Sequence, residues 1–164
     1  MAVMKIMGVS EYMKALQNME RSAEGALKKA VYEGAKVVVE AAANGVNSIP
    51  VVSGKAGFGT PEKPVQGIHR KQKQGLEESL GISKIRNEQG FVNAKIGFSG
   101  YNDFTTDKYP QGQPNVLIAR AVESGTTFRK KFPFMRPAVN RSKTQAIYSM
   151  DKQIAEDLKF WGLL

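Results

Sequence analysis

The sequence predicts a single α+β domain over residues 1–164: a long N-terminal helix and a C-terminal helix packed on a small antiparallel β-sheet, with long basic loops. Three observations carry this. Leu27, Val31, Ala35, Val38, Ala42 and Val46 recur at three- and four-residue spacing, the period of one helix face. Further on, Leu80, Ile82 and Ile85 precede an Asn87–Gly90 turn signal, and Phe91, Val92, Ala94, Ile96 and Phe98 follow it. That pattern predicts two antiparallel strands joined as a hairpin. Beyond Pro137 a helical stripe returns at Val139, Ile147, Met150, Ile154, Leu158 and Trp161, with Lys143 as the exception.

Taken in order, Met1–Met7 reads as an edge strand or a docked arm. Ser10 suits the cap of a first helix through about Glu20, with Tyr12, Leu16 and Met19 on one face. A second, longer helix is predicted from Ser22 to Val46, with Ala41–Ala43 letting another backbone approach, and with Asn44, Gly45, Asn47 and Pro50 ending it. Residues 51–75 change character. Gly54, Gly57, Gly59, Pro61, Pro64, Gly67 and Gly75 interrupt any period, so this is expected to be a flexible basic loop. Lys55, Lys63, Arg70, Lys71 and Lys73 make it a candidate arm that orders on a partner. Residues 99–114 read as a second long loop, and Asn115–Val122 is mixed, either a strand or a short helix.

Composition narrows the partners. The chain has 24 Lys and Arg against 15 Asp and Glu, a formal charge of +9, which favours nucleic acid or an acidic protein over a membrane. With no cysteine and one histidine, His69, neither a disulfide framework nor a multi-histidine metal centre is available. Together with an N-terminus lacking a long apolar run, this reads as a cytosolic chain without a signal peptide or membrane span.

The most informative stretch is Val122–Ala138. Ser124-Gly125 signals a bend and Pro137 suits the start of a helix. Between them lie three phenylalanines and a methionine, and no acid occurs from Arg129 to Lys143. Phe128, Arg129, Lys130, Lys131, Phe132, Phe134 and Met135 are the candidate interface. Within it, Phe132, Phe134 and Met135 would pack in the core or on a neighbour, and Arg129, Lys130 and Lys131 would touch a partner. The last helix opens with Arg136, Arg141 and Lys143, although helix N-termini favour acids. Glu123 is the acid nearest in sequence, so a Glu123–Arg136 pair is expected to clasp the loop.

The search for chemistry is negative, and no cofactor, metal or catalytic residue is assigned. Gly54-Lys55 is followed by Ala56 and position 49 is Ile, so phosphate-loop spacing fails. There is no Gly-x-Ser-x-Gly elbow. Asp103 and Asp107 lack the further oxygen ligands of a calcium loop, and Glu77-Glu78 are adjacent and point apart. His69, beside Arg70, reads as an exposed residue. The chain is read as a binding protein and not an enzyme.

The order of motifs adds a resemblance. A long helix is followed by Ile49-Pro50-Val51, then Gly75-Leu76-Glu77-Glu78-Ser79-Leu80, then two strands. Val122-Glu123-Ser124-Gly125-Thr126 and Phe132-Pro133-Phe134-Met135-Arg136-Pro137-Ala138 complete the series. Together they resemble the tail-completion, or head–tail joining, proteins of long-tailed bacteriophages, the lambda tail protein Z-like family. The resemblance covers nearly the whole chain, and its last two motifs are the most specific. It departs at Ser53–Gln74, an intervening basic stretch that suggests an added arm. It implies a structural virion protein at the head–tail junction, made in the host cytoplasm, that joins the tail tube to the head connector as a homo-oligomeric ring of six without catalysis. Nonspecific contact with DNA in the channel is a further expectation, and a nonspecific basic DNA-binding protein is the alternative function.

Overall fold

A computed structural model of the chain describes residues 9–52 and 59–161, without the side chains of residues 9–13, 15, 16 and 18. The expectations placed on Met1–Met7 and Lys55 lie outside the described residues, as do the side chains of Ser10, Tyr12 and Leu16. The architecture is α+β, with a long N-terminal helix, a C-terminal helix and small antiparallel sheets.

The two expected N-terminal helices are one. Helix α1 runs unbroken over Val9–Asn47, 39 residues, or about 58 Å at 1.5 Å per residue. Glu20-Arg21-Ser22-Ala23 contains no Pro or Gly, and serine caps a helix only where the preceding chain is not helical. Gly45 does not end it either. The last turns close through Ser48 N to Asn44 O and Ile49 N to Val46 O before Pro50.

Helix α4, Met135–Phe160, packs antiparallel along α1. Phe134 lies beside Gly45, Ala146 and Met150 beside Gly34, and the Asp157 carboxylate sits 3.4 Å from Lys29 Nζ. The seam is made of small residues: Ala26, Ala30, Gly34 and Ala42 on α1 against Ala138, Ser142 and Ala146 on α4, all buried. This corrects the expected stripes. Leu27, Val139 and Ile147 are 44, 42 and 48% exposed, one position off the seam, while Ala35, Ala42 and Val46 are buried as expected. The reason is proximity. A Cβ on Gly34 would lie 2.6 Å from Met150 Cγ, and one on Gly45 would lie 3.0 Å from the Phe134 carbonyl oxygen. The two glycines make room for Met150 and Phe134 at the contact, while Leu27, Val139 and Ile147 flank it.

The expected hairpin forms, but as two short ladders. Strand β3 (Leu80–Ile82) pairs with β6 (Ile96–Phe98), and β4 (Arg86–Glu88) with β5 (Phe91–Asn93). Ile82 faces Ile96 and Arg86 faces Asn93, so residues 83–85 oppose only 94–95, the extra residue of a β-bulge. The Gln89-Gly90 turn has φ of 55° and 88°, the two positive values that a tight hairpin needs.

One loop expectation is corrected. Val51–Val52 (β1) and Ile68–His69 (β2) pair in parallel, and α2 spans Arg70–Ser79, so the end of the expected basic loop is a strand and a helix. Gly75 does not interrupt α2. It is buried where its missing Cβ would lie 2.5 Å from Asn102 Cβ. The mixed segment is helical, as α3, Asn115–Ser124.

The core lies at one end of the α1–α4 pair. Val46, Ile49, Ile68, Leu76, Ile118, Ala119, Val122 and Phe134 form it, with Phe98, Phe132 and Met135 packed against it. Burying each of its larger aliphatic side chains contributes about 1.5–3 kcal/mol, so five elements are drawn to the point from which α4 departs.

The seam makes a prediction. Gly25 has open space around its missing Cβ, so Gly25→Ala should stabilise the chain by about 0.5–1 kcal/mol through helix propensity. Gly45→Ala adds the same propensity but meets the Phe134 carbonyl, and should lose about 1 kcal/mol net. Urea denaturation midpoints moving the same way in both variants would contradict this packing.

Candidate interaction site

Helix α3 ends at Gly125, whose φ is 77° and whose N–H donates to Ala121 O at 3.0 Å. The Ser124-Gly125 bend is therefore a helix stop. A tight turn follows, in which Thr126 and Arg129 exchange backbone hydrogen bonds of 2.9 and 3.2 Å, leaving Phe128 on its tip, 54% exposed.

The turn is fastened to the preceding basic segment. Val65 N donates to Phe128 O at 3.1 Å and Lys130 N donates to Val65 O at 2.8 Å. The Arg129 guanidinium turns inward and donates to the Gly67 carbonyl, and burial pulls its pKa below the ordinary arginine value. Arg129 is thus a structural tie and not a partner contact. Phe132 N then returns to α3, donating to Val122 O at 2.8 Å.

Glu123 closes the arrangement. Its carboxylate accepts from the backbone N–H groups of Phe134 at 2.7 Å, Met135 at 2.9 Å and Arg136 at 3.1 Å. These are the unpaired donors of α4's first turn, and the next residue, Pro137, has none to offer. No side chain of α4's own N-cap, Phe134, makes a cap hydrogen bond. The expected Glu123–Arg136 clasp therefore joins the two residues differently: Glu123 binds the Arg136 backbone and not its guanidinium. Partial burial alone would raise the Glu123 pKa, but the three backbone bonds, helped by the Arg136 charge, hold it below the ordinary glutamate value.

The candidate interface divides accordingly. Phe134 is 3% exposed and belongs to the core, with Phe132 and Met135 packed against it. These three are anchors of the loop, and they resolve in favour of the chain's own core. Phe128, Lys130 and Lys131 remain on the surface.

The basic arm divides as well. Lys63, Arg70 and Lys71 are exposed. Lys73 is not an arm residue, since its ammonium donates to Asn47 O at 2.6 Å and Ile49 O at 3.1 Å, the open carbonyls at the end of α1. His69, expected to be exposed, caps α2. Its Nδ1 accepts from Lys71 N at 3.3 Å while Gln72 Oε1 accepts from His69 N at 3.1 Å, and its ring lies 4.6 Å from that of Phe104. The signal for this was present in sequence as a polar residue three positions before Gln72, the spacing of a capping box.

Sequence reasoning missed a polar cluster under the second loop. Buried Asn102 donates through Nδ2 to Gln113 O at 2.7 Å and accepts through Oδ1 from Phe104 N at 2.7 Å. Asn115 donates to Ser99 O at 2.9 Å, and Gln72 to Gln113 Oε1 at 2.9 Å. An open cleft of about 310 Å³ lies beside it, lined in part by Glu78, Tyr101 and Asp103. Neither Asp103 nor Asp107 joins a metal-binding group, since no cluster of three His, Cys, Asp or Glu side chains occurs among the described residues. No helix among them is long and apolar enough to cross a membrane. Comparison with protein-family models, curated proteins and solved structures found no match.

Glu123 carries the prediction here. Glu123→Ala should cost about 2 kcal/mol, the upper range for a lost N-cap, whereas Arg136→Ala removes none of the three bonds and should stay within about 0.5 kcal/mol. A folded-state pKa below the unfolded one gives stability that is complete above the ordinary glutamate range, about 4.3, and is lost as pH falls through the folded value. Glu123→Gln should therefore unfold more readily at neutral pH, with the gap to the parent closing on acidification. A constant gap across pH would show that the carboxylate charge contributes nothing.

Proposed function

We propose that the chain is a structural virion protein of the head–tail junction of a long-tailed phage, completing the tail and joining it to the head connector in a homo-oligomeric ring. Its work is docking, without catalysis or cofactor, in the virion and in the host cytoplasm during assembly. What supports this reading is that the residues carrying the resemblance are those that build the clasp. Val122-Glu123-Ser124-Gly125-Thr126 supplies the helix stop and the carboxylate, and Phe132–Ala138 supplies the anchors and the N–H groups that the carboxylate binds. The clasp fixes a turn that offers Phe128, Lys130 and Lys131 to solvent. A projecting patch that meets a different patch on the neighbour is what a closed ring uses.

Deleting the coding sequence from the phage should leave separate heads and tails under the electron microscope. Joined virions without the protein would overturn the reading.

Nonspecific DNA binding is the second reading. Lys63, Arg70, Lys71, Lys130 and Lys131 are exposed, and none of them is in an ion pair among the described residues. Such contact would be to phosphates, with duplex affinity falling linearly in log–log fashion as salt rises. Absence of a gel shift at low salt would remove it.

A further inference from the structure

Two clefts of about 410 and 430 Å³ lie on either side of a ridge made by Pro133 and Pro137, which line both. The first runs between the end of α1 and the start of α4, with Ala41, Phe132 and Ala138 among its walls and Arg141 beside them. Lys131 and Arg136 line the second. The three cations are exposed, and none is in an ion pair among the described residues. Glu123, the one carboxylate lining either cleft, is already occupied by three backbone N–H groups. The surface therefore has fixed walls, apolar area and an excess of positive charge together, three cations against one carboxylate.

We infer that this double cleft binds an acidic, apolar-containing segment of a partner protein, with carboxylates on Lys131, Arg136 and Arg141 and an apolar side chain between α1 and α4. The inference rests on the docking reading given above and names the chemistry of the partner. Charge complementarity selects an acidic occupant. The apolar walls select protein over nucleic acid, because a phosphate backbone would leave the half-buried Ala41, Phe132 and Pro137 without a match. The ridge itself is rigid. Its two prolines have fixed φ, and the helix it leads into is capped by Glu123.

The test uses the full chain and three labelled probes: a peptide alternating Glu with Leu and Phe, a matched Glu–Ser peptide, and a DNA duplex. Fluorescence anisotropy should show the Glu–Leu/Phe peptide binding best, with K131E and R141E each weakening it about tenfold or more by placing like charges together. Ala41→Trp, which fills the first cleft, should abolish the preference over Glu–Ser. R141E leaves the three Glu123 hydrogen bonds intact, so an unchanged helical circular dichroism spectrum separates lost binding from lost fold. Equal binding of both peptides, tighter binding of the duplex with the same variant dependence, or no binding would each overturn the inference. Complementation separates it from the broader reading. If the chain is required for joined virions but R141E restores them fully, the surface is wrong and the docking function stands.

Discussion

Helix α4 begins without a cap of its own and with a cation in its first turn, and a carboxylate from the end of another helix makes that start stable. Three N–H groups point at Glu123, and the fourth donor that a helix start leaves open does not exist because residue 137 is proline. The contact fixes more than a helix end. It sets where α4 leaves the core relative to α3, and so where Phe134 enters the core and how α4 lies along α1. The loop between the two helices is closed at its base by the same residue. Its tip is held by Val65 and by the Arg129–Gly67 bond.

The same constraint explains the seam between the long helices. With α4's start fixed beside Gly45, the helices run close, and their buried residues are mostly small, Ala26, Ala30, Gly34 and Ala42 on α1 and Ala138, Ser142 and Ala146 on α4, with Met150 seated on Gly34. Even the serine is accommodated, its hydroxyl donating to Ala138 O at 2.8 Å along its own helix. Bulky apolar residues then collect at the end of the pair, where β2, α2 and α3 converge around Ile49, Ile68 and Leu76. A narrow seam and a broad core are thus two results of one helix position.

Positive charge in this chain has two separate uses. Lys73 closes the carbonyl end of α1, and Arg129 ties the turn to Gly67. In both, a long basic side chain reaches a main-chain oxygen that has no secondary-structure partner, which is where a buried or half-buried cation is tolerated. Lys63, Arg70, Lys71, Lys130, Lys131, Arg136 and Arg141 remain at the surface. Exposed cations also occur elsewhere along the chain, and Lys130, Lys131, Arg136, Arg141 and Lys143 are those on or near the start of α4 and the turn beside it.

By itself the sequence determined the α+β class, the order of the main elements, the hairpin turn before Phe91 and the helix beyond the Phe-rich loop. Those features rest on local signals, such as periodicity, positive-φ turns and proline, that few neighbouring residues settle. It also showed that α4 needed a negative partner and that Glu123 was the nearest. Only the tertiary structure decided that Glu123 takes the backbone and not the Arg136 side chain, because a main-chain N–H has no letter in a sequence. It likewise decided that the helices meet through alanine and glycine one position away from the largest apolar residues. Hydrophobic spacing marks where burial is favourable, whereas the distance of closest approach, set here by Glu123 and Gly45, determines which side chains fit. The two ties by Lys73 and Arg129 were illegible for the same reason: each joins residues more than twenty positions apart through a carbonyl.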